Sequence, residues 1–277
     1  MKARGFLFKT IHDFTDTLEQ ALFAEDVARR AGVLQSLDPR AKLVGALVLL
    51  IAISLSHNAL AILALALLTF PLAWASRVPL GFYLKRVWIP ASFFTGLIAL
   101  PALFSPLSPG KPLITLIDLT APRLYLAITA PGVLTALLLW LRAGTSISIA
   151  VLLVLTTRWM TLLQALRILR VPQAFVLILG MTYRYLFVLL HTANHLFLAR
   201  QSRLVGRVAP AEERRWLAAT AGTLFAKSYA LSEEVYLAMQ ARGFRGEARV
   251  LQTLTWRARD GLWLAGWIGI AALVVWS

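Results

Sequence analysis

The most pointed side-chain arrangement in this 277-residue chain is an arginine at the tip of an apolar stripe. Leu217, Ala221, Leu224, Ser228, Leu231, Val235 and Ala238 recur at spacings of three and four, and Arg242 takes the next place on that stripe. A guanidinium is always charged and offers a planar fork of donors, which suits a carboxylate on another chain. Arg203 stands in a similar place near the end of the preceding apolar stretch, with Arg200 just before it. Two readings of such a tip are open. The dipole of a helix C-terminus and lipid head groups both favour a cation there. An arginine desolvated in a partner's groove is instead an anchor, whose loss costs about 2 kcal/mol or more of binding.

Other chemistry is thinner. His191 and His195 share a helix face, as metal ligands would, but no third ligand accompanies them, so no metal site is expected. Arg142 falls inside a long apolar stretch, where an ionised side chain needs an interior contact or a subunit interface. No glycine-rich Lys-Ser/Thr loop is present, and Ser108-Pro109-Gly110-Lys111 lacks the spacing, so the chain is not expected to bind ATP or another cofactor itself. With no cysteine, disulfides and thiolate metal sites are excluded. Acids cluster near the N-terminus and at Glu233 and Glu234, outside any clear span, which disfavours an independent membrane enzyme or secondary transporter.

The elements that position these residues are set by the solvent. Hydrophobic residues make up 59% of the chain and its mean hydropathy is +0.72, so the bilayer is the expected solvent for much of it. The net charge of +15 accompanies a greasy chain rather than a polar one, which points to basic cytoplasmic loops beside anionic lipid and not to nucleic acid. The first ten residues are basic, but Asp13 and Asp16 follow without an apolar run, so a cleavable signal peptide is not expected. Asp16 is a candidate cap for a short lead-in helix carrying Leu18, Leu22, Phe23 and Val27.

Apolar stretches at residues 41–56, 59–75, 87–104, 132–157 and 261–276 predict five spans. His57 and Asn58 form a turn between the first two, Arg77, Lys85 and Arg86 mark a basic loop, and Pro90 and Pro101 bend the third span. Residues 105–131, rich in proline, form a long loop with a re-entrant candidate at 113–119. Residues 174–190 are apolar but carry Arg184. If they crossed, a sixth span would put Arg200, Arg203, Arg207, Arg214, Arg215, Lys227 and the later arginines outside, against the preference of Lys and Arg for the cytoplasm. At about 1.5 Å per residue these 17 residues would barely span, so they read as a helix lying along or partly in the inner leaflet.

The expected organisation is therefore a cytoplasmic lead-in (residues 1–40), a membrane region of four spans (41–157), cytoplasmic helices (158–258) and a last span (259–277). This is an all-α integral membrane protein. Within 158–258, an amphipathic piece carrying Trp159, Leu162, Leu163, Leu166 and Leu169 is broken at Val171-Pro172. A helix follows over about 173–203, and another opens at Pro210 with Glu212 and Glu213 near its positive end. Gly243 is its natural stop.

The string Glu233-Glu234-Val235-Tyr236-Leu237-Ala238-Met239-Gln240-Ala241-Arg242-Gly243-Phe244-Arg245-Gly246 resembles the second coupling motif of the transmembrane T component of energy-coupling factor transporters. Leu37-Asp38-Pro39-Arg40-Ala41-Lys42-Leu43 is similar to that family's motif before the first span. Leu166-Arg167-Ile168-Leu169-Arg170-Val171-Pro172 resembles its loop into the coupling helices, and Met181-Thr182-Tyr183-Arg184-Tyr185 its arginine-bearing helix. For the first coupling motif there are two candidates, Ser202-Arg203-Leu204 and Ala199-Arg200-Gln201. Arg203 is preferred because Ala199 then falls at the family's alanine four residues earlier. The long lead-in resembles the cobalt or nickel (CbiQ-like) subgroup more than the shared vitamin-transporter scaffold.

The resemblance implies a non-catalytic scaffold in a prokaryotic plasma membrane, multi-pass, with a cytoplasmic N-terminus. It would join two cytoplasmic ABC ATPase subunits, which hold the ATP and Mg, to a substrate-binding membrane subunit. Arg203 and Arg242 would dock in grooves on the ATPases, whose closure would tilt the substrate subunit. The cargo would be cobalt or nickel, or alternatively a vitamin.

Overall fold

Asp38 starts the helix that runs to Leu55: its carboxylate accepts the Arg40 N–H at 2.8 Å, and Pro39, with no N–H to leave unpaired, takes the first helical position. This helix, α1, runs Pro39–Leu55 in a computed structural model that describes residues 25–99, 112–117, 126–204, 208–246 and 256–276. Asn58 caps α2 (Ala59–Ala75) in the same manner, accepting from Leu60 N–H at 2.9 Å. Then come α3 (Leu80–Ala99), an antiparallel pair of strands β1 (Pro112–Ile117) and β2 (Leu126–Thr129), and α4 (Ala130–Leu155). The short α5 (Trp159–Ala165) passes into a 3-10 turn, Leu166–Leu169, closed by Arg170 at φ 59°. Two long helices follow, α6 (Gln173–Arg203) and α7 (Pro210–Ala241), and α8 (Ala258–Trp276) is last.

The chain divides into two units. One is Glu25–Leu162 with Leu254–Ser277. In it α1 packs along α8 and α4, while α4 also packs against α2 and α3. Its core gathers Ala46, Leu49, Ala52 and Ile53 of α1, Leu65 of α2, Ile149 of α4 and Ala271 of α8. Small residues let these helices close up, as membrane helices require. A Cβ on Gly45 would stand 3.1 Å from Trp267, and one on Gly144 would stand 2.9 Å from Trp88. The Trp88 ring lies 6.2 Å from Phe70 and 4.9 Å from Trp140, so it ties α2, α3 and α4 together. The second unit centres on Leu163–Thr253, where α6 packs against α7.

The helical architecture agrees with the sequence, and four details differ. β1 and β2 replace the re-entrant element expected at 113–119, because the Leu- and Ile-rich run pairs with Leu126–Thr129. α3 begins at Leu80, so Lys85 and Arg86 sit in its early turns rather than in a loop; Pro90 lies inside the helix, where the sequence put it. Among the described residues, α4, α6 and α8 are long and apolar enough to cross a bilayer. By contrast α1 and α2, at 17 residues, reach only about 26 Å. The length argument against residues 174–190 is also overturned, since α6 is one continuous helix of 31 residues. Pro101 and the expected cap at Asp16 lie outside the described residues.

Candidate functional site

Two helix ends carry exposed arginines. α7 terminates in paired hydrogen bonds: Gly243 N–H donates to the Gln240 carbonyl at 2.9 Å, and Phe244 N–H to the Met239 carbonyl at 3.0 Å. That turn needs a left-handed residue after the cap, and Gly243 supplies it at φ 80°. The stop leaves Arg242 as the C-cap with its side chain exposed, next to exposed Ala241. On α7 the predicted stripe is half-buried at Leu217, Leu224, Ser228, Leu231 and Val235, whereas Ala221 and Ala238 are exposed. A second apolar row that the sequence reading missed, Phe225, Tyr229 and Tyr236, is exposed along the same helix.

The end of α6 separates the two candidate arginines. Arg203 is its last residue and is exposed; Leu204 is the C-cap, its N–H donating to the Arg200 carbonyl at 3.1 Å. Ser202 turns back, donating through Oγ to the Ala199 carbonyl at 2.9 Å. Arg200 is held within the unit, with its Cζ 4.5 Å from the centroid of the Trp216 ring of α7. Phe197 meets that ring edge-on at 5.0 Å. A guanidinium over an indole face is attracted by the ring's quadrupole and is fixed in direction.

The membrane-helix unit contains a buried polar node. One oxygen of the Asp260 carboxylate accepts the Asp38 N–H at 3.0 Å, and the other accepts the Arg257 N–H at 2.9 Å. As the third residue of α8, Asp260 thus reaches back over its own helix start, as in a capping box. Lys42, one turn into α1, donates Nζ to the Thr156 carbonyl just beyond α4 at 2.9 Å, and its charge is attracted by both Asp38 and Asp260. Lys42 is 6% exposed and Asp260 1%, so these charges balance one another away from solvent. Arg259 adds a hydrogen bond to the Ser36 carbonyl. Arg142 makes an interior contact, one of the two alternatives expected of it: Nη2 donates to the Ser56 carbonyl at 2.6 Å, at the negative end of α1.

The remaining residues singled out in the sequence are scattered. Pro172 sits at the N-cap of α6, with its carbonyl accepting from Phe175 N–H at 3.1 Å. Arg184, His191 and His195 are exposed along α6. Among the described residues no three His, Cys, Asp or Glu side chains stand together as a metal site. Asp260 and Trp216, each central to a cluster, were not singled out. Asp260 falls just outside the last apolar run, and the one signal for it is an acid at the third position of a helix start.

These features define a multi-pass helical membrane protein, with small-residue packing inside one unit and exposed arginines at the helix ends of the other. The sequence profile of the cobalt transport protein family CbiQ matches residues 31–253, and the chain belongs to that family. It is 32% identical to an uncharacterized protein of Methanocaldococcus jannaschii, over 96% of this chain and 90% of that one. It is 27% identical to an energy-coupling factor transporter transmembrane protein of Bacillus selenitireducens, over 88% and 92% of the two chains. With the nickel permease LarQ of Lactiplantibacillus plantarum it shares 30% identity, over 75% of this chain and 66% of the relative. The resemblance to the energy-coupling factor transmembrane family therefore holds.

Proposed function

We propose that this chain is the transmembrane scaffold subunit of an energy-coupling factor importer for cobalt or nickel. The observation that carries the reading is the pair of exposed arginines at the ends of α6 and α7, in a chain of the cobalt transport family. Each is set at a defined helix end, so a force applied to the guanidinium is delivered along a rigid rod. Arg203 is the first anchor in this reading, because Arg200 is already committed to Trp216. Two cytoplasmic ATPase subunits dock on Arg203 and Arg242, bind ATP and Mg, and draw α6 and α7 along as they close. The motion passes through this chain to a substrate-binding membrane subunit. This chain does no chemistry of its own. The many arginines from Arg158 to Arg259 favour a cytoplasmic α6–α7 region in a prokaryotic plasma membrane, with the N-terminus on the same side.

A second reading, a scaffold for vitamin import, is left open by the match to the Bacillus selenitireducens protein, whose name gives no cargo. Purification from the native membrane distinguishes the readings. The first expects two ATPase-sized bands and a small membrane subunit, with ATP-driven uptake of radioactive nickel or cobalt in proteoliposomes. Vitamin uptake without metal uptake would favour the second, and the absence of ATPase partners would sink both.

A further inference from the structure

Between Leu162 and Leu254 the chain leaves the membrane-helix unit and returns to it, and both of these connections are pinned near the start of α1. Leaving the membrane-helix unit, α4 ends at Leu155 and the next carbonyl, that of Thr156, is held by Lys42. Returning, the Arg257 N–H is held by Asp260, whose other oxygen holds the Asp38 N–H. The partners are 114 and 222 residues apart in sequence, so these are tertiary anchors and not local turns. Of the anchoring groups, Lys42 and Asp38 lie within one turn of each other, so α1 receives both connections at one end.

We infer that Lys42 and Asp260 are positioning residues that couple displacement of the α6–α7 region to α1, α4 and α8. The inference rests on the scaffold reading above, and neither residue is assigned a contact with ATPase or substrate. A buried, charge-assisted hydrogen bond holds both distance and direction. A pull on the chain before α8 moves the Arg257 amide, and the shared carboxylate passes that pull to the Asp38 amide at the head of α1. A pull on the chain after α4 reaches α1 through Lys42. Two inputs separated by about a hundred residues thus act on one helix end. If the node only sealed buried charge, loosening it would lower the amount of folded complex and leave intact what each folded copy does.

The test uses the full complex in proteoliposomes, with ATP hydrolysis and metal uptake measured in the same vesicles. Wild-type uptake driven by ATP first checks the scaffold reading by itself. Asp260→Asn keeps the side chain's shape but has a single acceptor oxygen, so it can hold the Asp38 or the Arg257 amide and not both. Lys42→Met removes the other anchor. The expected result for each is an assembled complex that still hydrolyses ATP, with uptake per ATP lowered by at least about fivefold. Should Lys42→Met not fold, Asp260→Asn carries the test, since it adds no bulk and buries no new charge. Uptake and hydrolysis falling together, in proportion to assembled complex, would overturn the inference; so would an unchanged ratio.

Discussion

The Arg200 guanidinium lies over the Trp216 ring at 4.5 Å, so one of two arginines spaced three apart on α6 is spent inside the α6–α7 pair while the other is exposed. With Phe197 against the same ring, this cluster fixes how the two helices meet near the end of α6. Trp216→Ala is expected to loosen that meeting by about 1–2 kcal/mol, and Trp216→Phe by less, because a smaller ring keeps part of the stacking. Faster amide exchange over residues 193–204 would register the change. Unaltered protection in Trp216→Ala would show that the cluster contributes nothing to the pairing.

Arg200 and Arg203 are expected to fail in different ways. Arg200→Ala should reproduce the exchange behaviour of Trp216→Ala. Arg203→Ala and, more strongly, Arg242→Ala should leave the fold unchanged and weaken binding to the ATPase subunits by about 2 kcal/mol, roughly 30-fold in Kd. Quantitative pull-down at several ATPase concentrations separates the two effects. Full binding by the Arg203→Ala/Arg242→Ala double variant would remove both residues from the interface.

The buried node makes a stability prediction with a direction. Asp260→Ala removes two acceptors and part of the counter-charge of Lys42, and should lower the stability of the membrane-helix unit by about 3 kcal/mol or more. Asp260→Asn, which loses one acceptor, should cost about 1–2 kcal/mol. Adding Lys42→Met to Asp260→Ala should cost less than the two single changes summed, because the second change removes a charge the first left unbalanced. Thermal unfolding in detergent reads all four proteins.

Glycines in the same unit divide by what a methyl group would meet. Gly144→Ala would press on Trp88, which is itself held against Phe70 and Trp140, and a loss of about 1–3 kcal/mol is expected. Gly269→Ala in α8 meets open space, so its melting temperature should hold or rise slightly. Equal losses at both positions would mean that α3 and α4 are not packed on Trp88 as described.

What the sequence discloses here tracks how local the cause is. The start of α7 at Pro210 and its stop at Arg242-Gly243 depend on caps and periodicity within one helix, and both are legible, as is the long run of α6. The partner of Arg142 is not, because it is a carbonyl 86 residues earlier. Asp260 is silent for the same reason, while Lys85 and Arg86 mislead because their charge reads as loop although α3 has already begun. Trp216 and the row Phe225, Tyr229 and Tyr236 lie off the stripe that periodicity selects.

The hydrogen bond between Asp38 and Asp260 also bears on biosynthesis. α1 leaves the ribosome about 200 residues before α8, so the head of α1 must wait, with Lys42 already in place, until α8 has been made. Long-range closure of this kind is slow relative to local helix formation. A ribosome stalled before α8 would therefore release a chain in which Lys42 lacks one of its two counter-charges and the Asp38 N–H lacks its acceptor, an unfinished polar node open to membrane quality control.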